Sequence, residues 1–429
     1  MNPIIHFSIK VNALDCYLYG GYLFIVLNDG RVVNVSYHQI INCLKAQYPE
    51  YANLIELVFL HNEYSKSEAA RILFGVEEIK ETFRHVWQKA SEEIVFELNF
   101  SDIEENCNTI DVCQSIPLDL RAYGGRLFLG CQNGLFESKL NMDGSYQINP
   151  SLFSKCFDGK VIGLNARNST VVVSADWDGL LKGEVLDFDT NFRIDEGKSY
   201  AKRSLRTGWM TSDVVNYNNA SNFDYIYNEC VDRVKNDNKN FYTTTKIREK
   251  KVISQFAKAV YGMEDLFSRT KIDKSDIMYS FNSSDKSFFV MNDGSIVNAK
   301  IKEGKIDEPF YISQRVKPFG EQKKFAGKPL SSCFVYKGCV LEYFDGVVLI
   351  QNHEMINLCD RPVNSVRSYL NSNNYRDIVA IVDDDSISLN AIFNIDDIKS
   401  QPAFPKTTVR HDNSSKGVVY GDQNEELPF

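Results

Sequence analysis

Six short stretches of the chain carry one hydropathic pattern: an apolar run, a tight turn built on Asp or Asn and usually followed by Gly, then a second apolar run. They read YLFIVLNDGRVVNVSY from Tyr22, RLFLGCQNGLFESKL from Arg126 and TVVVSADWDGLLKGEVL from Thr170. The others are SFFVMNDGSIVNAKI from Ser287, CVLEYFDGVVLIQN from Cys339 and DIVAIVDDDSISLNAIF from Asp377. The runs are rich in Val, Ile, Leu, Phe and Tyr, which fill a pleated, half-buried surface. The turn pairs Asp29-Gly30, Asn133-Gly134, Asp178-Gly179, Asp293-Gly294 and Asp345-Gly346 predict two-residue hairpins of the primed type. Such turns need positive φ, which Gly supplies freely and Asn or Asp tolerates. The sixth copy has Asp383-Asp384-Asp385 in place of a Gly pair and needs a different turn.

A further apolar segment precedes each hairpin, at residues 14–19, 118–123, 160–165, 277–281, 331–336 and 363–370, so each copy has at least three antiparallel strands. One such sheet cannot bury both faces, so the copies must stack. Several turn-to-turn intervals approach the 40 to 50 residues or so of a propeller blade, and the long one from Gly179 to Gly294 has room for a degenerate copy around residues 214–229. The expected fold is all-β dominated, a single β-propeller over residues 1–429 with helical insertions, seven blades being expected and six the alternative. Residues 4–11 are the expected closing strand, with 407–410 or 417–420 as further contributors. The strand–turn–strand half of each copy resembles the corresponding half of a WD-type repeat. The Gly-His pair and the closing Trp-Asp of that family are missing, and Trp177-Asp178 sits in a turn, so the resemblance is to an irregular WD-like propeller. It implies a ring-shaped interaction platform and no reaction.

Two stretches break the strand pattern. Residues 38–92 are expected to form a helical insertion in the first blade, because Ile72, Val76, Ile79, Phe83 and Trp87 recur at steps of three and four. Ile72, Ile79, Phe83 and Trp87 are its expected docking face, on an appendage whose excision (residues 39–89) should leave the ring folded. SEAARILFGV loosely resembles the first helix and turn of a helix-turn-helix, but the acidic run at 77–81 opposes phosphate contact, which favours partner docking. Residues 187–274 are expected to hold the degenerate blade plus a basic and helical insertion, with Val252, Phe256, Val260 and Leu266 at helical spacing.

Basic residues gather in three loops: 198–209 (Lys198, Lys202, Arg203, Arg206, followed by Trp209), 246–251, and 315–328 (with Lys323 and Lys324). One reading is a cationic groove with Trp209 as a stacking platform; the other is solvated loop charge balanced by nearby acids. Arg203, Arg206, Trp209, Lys323, Lys324 and Trp177 are the partner-contact candidates. The polar tail at 401–429 is expected to be partly disordered.

A net charge of −9 over 429 residues argues against a broad nucleic-acid footprint. No run approaches the 18 or so apolar residues of a membrane span, and the N-terminus has no signal-peptide pattern. Ten cysteines without a C-x-x-C pair read as free thiols in a reducing compartment, hence a cytoplasmic protein. The six histidines are dispersed, no phosphate loop or nucleophile elbow occurs, and the lone Asp383–Asp385 cluster is an ordinary acidic turn, so no metal, cofactor or catalytic residue is assigned. The expected function is a non-catalytic scaffold or sensor subunit that binds a protein partner through inter-blade loops and helical insertions. The alternatives are a nucleic-acid-binding propeller using the basic loops, and a hydrolase or lyase with carboxylates in the central channel.

Overall fold

Seven sheets, antiparallel but for one added edge strand, make up the computed structural model. It describes residues 4–392 apart from 65–71, 112–114, 142–146, 186–189, 196, 211–212, 230–254, 263–271, 284–285, 302–309, 318–326 and 336–337. The expected tail at 401–429 lies outside the described residues. The strands of each blade are lettered a to d from the innermost outward. The innermost strands are Ala13–Tyr19, Pro117–Tyr123, Gly163–Arg167, Arg206–Met210, Ile277–Asn282, Ser331–Val335 and Ser365–Ser368. Consecutive ones touch around a common axis, and the last returns to the first. Between blades 5 and 6 the contact is carried by Phe281 against Phe334, ring centroids 5.4 Å apart, and by Tyr279 Oη to Ser332 Oγ at 3.4 Å. The ring is a seven-bladed propeller.

Strands b explain why the sequence reads as near-continuous apolar runs. Arg126–Cys131, Thr170–Ser174 and Ile378–Val382 are buried at every position, because both faces of a blade pack on neighbouring blades. The degenerate copy is blade 4, with Asp213–Tyr217 and Phe223–Glu229 as its central strands. Blade 3 has three strands, and the place of a fourth is taken by residues 190–195. Ile194 bridges to Gly183, and the amide of Asp195 donates to Lys182 O at 2.8 Å. The buried Arg126–Glu137 ion pair, 2.7 Å long, anchors that segment: Glu137 accepts the amide of Phe192 at 2.9 Å, and Arg126 donates to Thr190 O at 2.6 Å.

Closure comes from the N-terminus, as expected. Ile5–Lys10 pairs antiparallel with Ser386–Ala391 and completes blade 7. Phe96–Asn99 then pairs with Ile5–Lys10 in parallel and covers the remaining edge.

The turns depart from the primed type expected at the Asp-Gly pairs. At Asp29-Gly30 and Asp293-Gly294 only the glycine has positive φ (87° and 77°), and its amide donates back to Leu27 O or Met291 O at 2.9 Å. This is a type I turn closed by a left-handed residue, one residue longer than a primed hairpin. Two-residue turns with both residues at positive φ occur at Gly20-Gly21, Gly124-Gly125, Asn168-Ser169 and Asn352-His353 instead. In blade 7 the Asp383 carboxylate does the glycine's work by accepting the amides of Asp385 and Ser386, both at 2.9 Å.

Two further expectations are corrected. The segment with helical spacing after residue 250 contributes a strand, Gln255–Gly262, the d strand of blade 4. The open edge of Phe223–Glu229 supplies a row of hydrogen-bond partners, which outweighs a weak local periodicity. The helical insertion is no appendage. Its helices α1 (Tyr37–Gln47), α2 (Ala52–Tyr64) and α3 (Glu77–Glu93) leave the c strand of blade 1. Ile40, Ile41 and Leu44 of α1 and Val58 of α2 are fully buried in one core with blades 7, 1 and 2. Phe59 meets Phe7 of the closing strand edge-on, centroids 4.8 Å apart.

Two outcomes are expected. Replacing residues 39–89 by a short Gly-Ser bridge strips that core from the closing strand, so the variant should give no cooperative thermal melt, whereas an unchanged transition would mean the helices are dispensable. Gly294→Val meets nothing within 4 Å but sits at φ +77°, so the cost is backbone strain alone, about 1–2 kcal/mol by urea unfolding.

Candidate functional site

The innermost strands surround a central cavity of about 350 Å³. Its polar lining begins with a repeated local feature. Register shifts after Ala13 and Pro117 bring Asp15 and Asp119 to equivalent places in blades 1 and 2. Each carboxylate accepts the amide of the following residue, Cys16 at 2.8 Å and Leu120 at 2.9 Å. Asp119 also accepts the amide of Leu164 in blade 3 at 2.5 Å. Arg367 of blade 7 bonds both aspartates: Nε to Asp15 at 2.9 Å, and Nη2 to Asp119 at 2.6 Å and to the other Asp15 oxygen. Burial opposes the Arg367 charge, but the two carboxylates outweigh it and hold its pKa well above the usual guanidinium value. One side chain thus joins three blades across the closure point.

On the far side of the channel Arg206 plays a similar bridging part without a carboxylate. Its guanidinium lies 3.9 Å from the Tyr217 ring centroid and 4.3 Å from that of Tyr279. It donates to Ala220 O at 3.1 Å and to Ser280 O, linking blades 4 and 5. Burial raises the pKa of both tyrosines, and the Arg206 charge offsets part of that rise. Glu342, in strand b of blade 6, also has a raised pKa: burial is the main cause, opposed by the Ser331 hydroxyl and the Arg367 charge. Among the described residues, no group of three His, Cys, Asp or Glu side chains could hold a metal ion. The described cysteines are all free thiols, and burial pushes Cys339 up to about 12.

The second feature is a face. Antiparallel alternation puts the b–c turns and d–a connections of every blade on one side of the ring, and the a–b and c–d turns on the other. Seven large apolar side chains are strongly exposed among the described residues, and five lie on the b–c/d–a side. Trp177 and Phe344 are in b–c turns, Ile116 and Leu330 in d–a connections, and Leu118 begins strand a of blade 2. Trp177 is 72% exposed and Phe344 68%. Arg203 stacks over the Trp177 indole at 4.2 Å and lies 3.4 Å from Asp176, which Lys160 also meets at 3.4 Å.

No protein-family model matches the chain, and no curated protein matches it. Solved structures similar to it include the Cps50 (Swd1) β-propeller domain of Myceliophteria thermophila, 9% identical with a TM-score of 0.48, covering 91% of this chain and all of that one. YCF48 bound to D1 peptide is 9% identical with a TM-score of 0.46 over 92% of this chain and 98% of that one. A chain of the Mitotic Checkpoint Complex is 8% identical with a TM-score of 0.44, covering 90% and 87%. The fold class rests on the seven closed sheets and their Asp- and Asn-based b–c turns. The chain is a seven-bladed β-propeller.

The propeller scatters the residues that sequence reasoning grouped. Arg203 and Trp177 are together on the b–c/d–a face. Arg206, three residues after Arg203, turns into the channel. Trp209 is 7% exposed and packs with Val172, Leu180, Val214 and Ile226, so it offers no stacking platform. Lys323, Lys324 and the loop at 246–251 lie outside the described residues, while Arg315 pairs with Asp293 at 2.9 Å. The expected docking face of the insertion is turned inward: Trp87 is 5% exposed, and Ile79 and Phe83 pack on the main core. Ile72, just before α3, is half-buried. An amphipathic stripe reports that a face is covered, not what covers it.

Sequence reasoning missed Arg367, Asp15 and Asp119, although the matching Ala-Leu-Asp and Pro-Leu-Asp openings of the first two inner strands were a signal. Arg367→Met leaves two facing carboxylates with little solvent, and unfolding should show a loss of about 3–5 kcal/mol, largely recovered when Asp15→Asn and Asp119→Asn are added. Glu342 favours the fold below its ordinary value of 4.5, and this contribution is lost as pH rises through the raised value. Glu342→Gln should therefore gain on the parent protein in urea unfolding as pH climbs through that window, then run parallel to it.

Proposed function

We propose that this propeller is a non-catalytic scaffold or sensor subunit that docks a protein partner on its b–c/d–a face, with the Trp177–Arg203 pair as anchor. The carrying observation is the concentration there of five of the seven strongly exposed large apolar side chains. Scattered apolar exposure is ordinary, whereas exposure biased to one face of a ring marks an interaction surface. Trp and Arg are the residue types that dominate protein interfaces energetically, and the stack between them holds the indole ready at small entropic cost. The asymmetry of the ring supports the same reading. On the opposite side, the insertion covers the edge of blade 7 and buries its stripe within the molecule. A protein partner fits the mixed apolar and charged character of the face, where Lys160 and Arg203 are already matched by Asp176. A nucleic-acid groove draws less support, since Arg206 is bound to carbonyls inside the ring and Trp209 is buried.

The test is paired capture from native lysate. Trp177→Ala combined with Phe344→Ser should lose a stoichiometric protein partner that the parent retains, with unchanged melting temperature. Leu73→Ser combined with Val95→Ser, in and beside the helical insertion, should retain it. Equal loss from both pairs, or none from the first, sinks the assignment of the face.

A further inference from the structure

Three arginines that line the channel, Arg121, Arg167 and Arg206, form no ion pair with a carboxylate among the described residues. Arg121 Nη2 donates to Asn165 Oδ1 at 2.9 Å, with its guanidinium 5.5 Å from the Tyr17 ring centroid. Arg206 uses only Nη2 for its two carbonyl bonds while the tyrosine rings hold its plane. Both guanidiniums are fixed in place with donor groups unspent. Arg167 ends the inner strand of blade 3, two residues beyond the Asn165 that Arg121 of blade 2 engages, and lines the same cavity. Arg367 completes a set of four guanidiniums, set against two carboxylates, Asp15 and Asp119, which Arg367 itself engages. The charged side chains lining the cavity are four arginines and Asp119; with Asp15, the other partner of Arg367, counted as well, the positive excess is two within a chain of net charge −9. Like charges held around one channel repel one another, and an anion reverses the sign of that interaction.

We propose that the central channel is a binding site for a small anion carrying two or more phosphate groups. The planar guanidinium fork matches phosphate oxygens in bidentate fashion, and four of them line this one cavity. A cavity of about 350 Å³ suits a small molecule. Gly208 in its wall leaves the place of a side chain to Asn282, whose Oδ1 stands 1.9 Å from where a Cβ would be. This site is separate from the docking face and does not depend on the partner assigned there.

The experiment is isothermal titration of the full chain at low salt with sodium tripolyphosphate and with ATP, and in parallel with a hexaglutamate peptide. Saturable one-to-one binding of tripolyphosphate or ATP is expected. Arg121→Gln combined with Arg167→Gln should weaken it by at least about tenfold in a protein that still unfolds cooperatively without ligand. Arg203→Gln, outside the channel, should bind like the parent. If the double glutamine variant fails to fold, Arg121→Lys combined with Arg167→Lys, which keeps the charge and removes the fork, should still weaken tripolyphosphate. The proposal is overturned by an absence of saturable binding, by binding that channel variants leave unchanged, or by equal loss in Arg203→Gln. Tighter binding of hexaglutamate than of tripolyphosphate overturns the phosphate class.

Discussion

Everything in this ring depends on the pairing of Ile5–Lys10 with Ser386–Ala391, hydrogen bonds between the two extremes of the described chain. Without it, blade 7 ends on Ser386–Ala391 with a free edge, and the innermost strands of blades 7 and 1 lose the constraint that keeps them adjacent. Arg367 acts at the same seam, from inside. Its guanidinium draws Asp15 and Asp119 toward blade 7, so the channel wall is locked where the two ends of the chain meet. Backbone pairing at the rim and an ion cluster at the axis secure one joint at two radii. A buried charge cluster is an expensive means of cohesion compared with apolar packing, and its worth here is geometric: one residue sets the spacing of three blades.

The channel and the rim divide the polar chemistry between them. Inside, charge is abundant and fixed by neighbours, with Arg206 clamped between two tyrosines and Asp119 saturated by two amides and a guanidinium. On the b–c/d–a face, large apolar groups stand in solvent, and Trp177 is steadied by Arg203. Two arginines three residues apart serve the two regions because strand a of blade 4 begins at Arg206, and Arg203 still belongs to the connection.

Much of the fold was legible because its causes are local. Apolar runs flanking Asp-Gly or Asn-Gly specify hairpins whatever surrounds them, and the N-terminal apolar strand had no other blade to join. The degenerate blade could be inferred from the length of the interval between Gly179 and Gly294. Turn type was misjudged because Asp-Gly serves equally in a primed turn and in a type I turn with a left-handed glycine. The strand Gln255–Gly262 was misread because an open sheet edge decides the matter at a distance. The candidate site was hardly legible. Arg367 lies 352 residues from Asp15 in sequence, and nothing near either one announces the other. Trp209 and Trp87 looked like exposed anchors because aromatic residues at loops and on stripes carry no mark of which way they face.

The parallel strand Phe96–Asn99 bears on how such a ring is made. During synthesis the first strand leaves the ribosome long before Ser386–Ala391 exists, and an apolar segment such as IHFSIK invites association with other chains. Phe96–Asn99 and the helices before it emerge early and can shelter that segment on one side. The last blade then joins a strand whose other edge Phe96–Asn99 already pairs, so one long-range pairing closes the ring and a local one guards its seam.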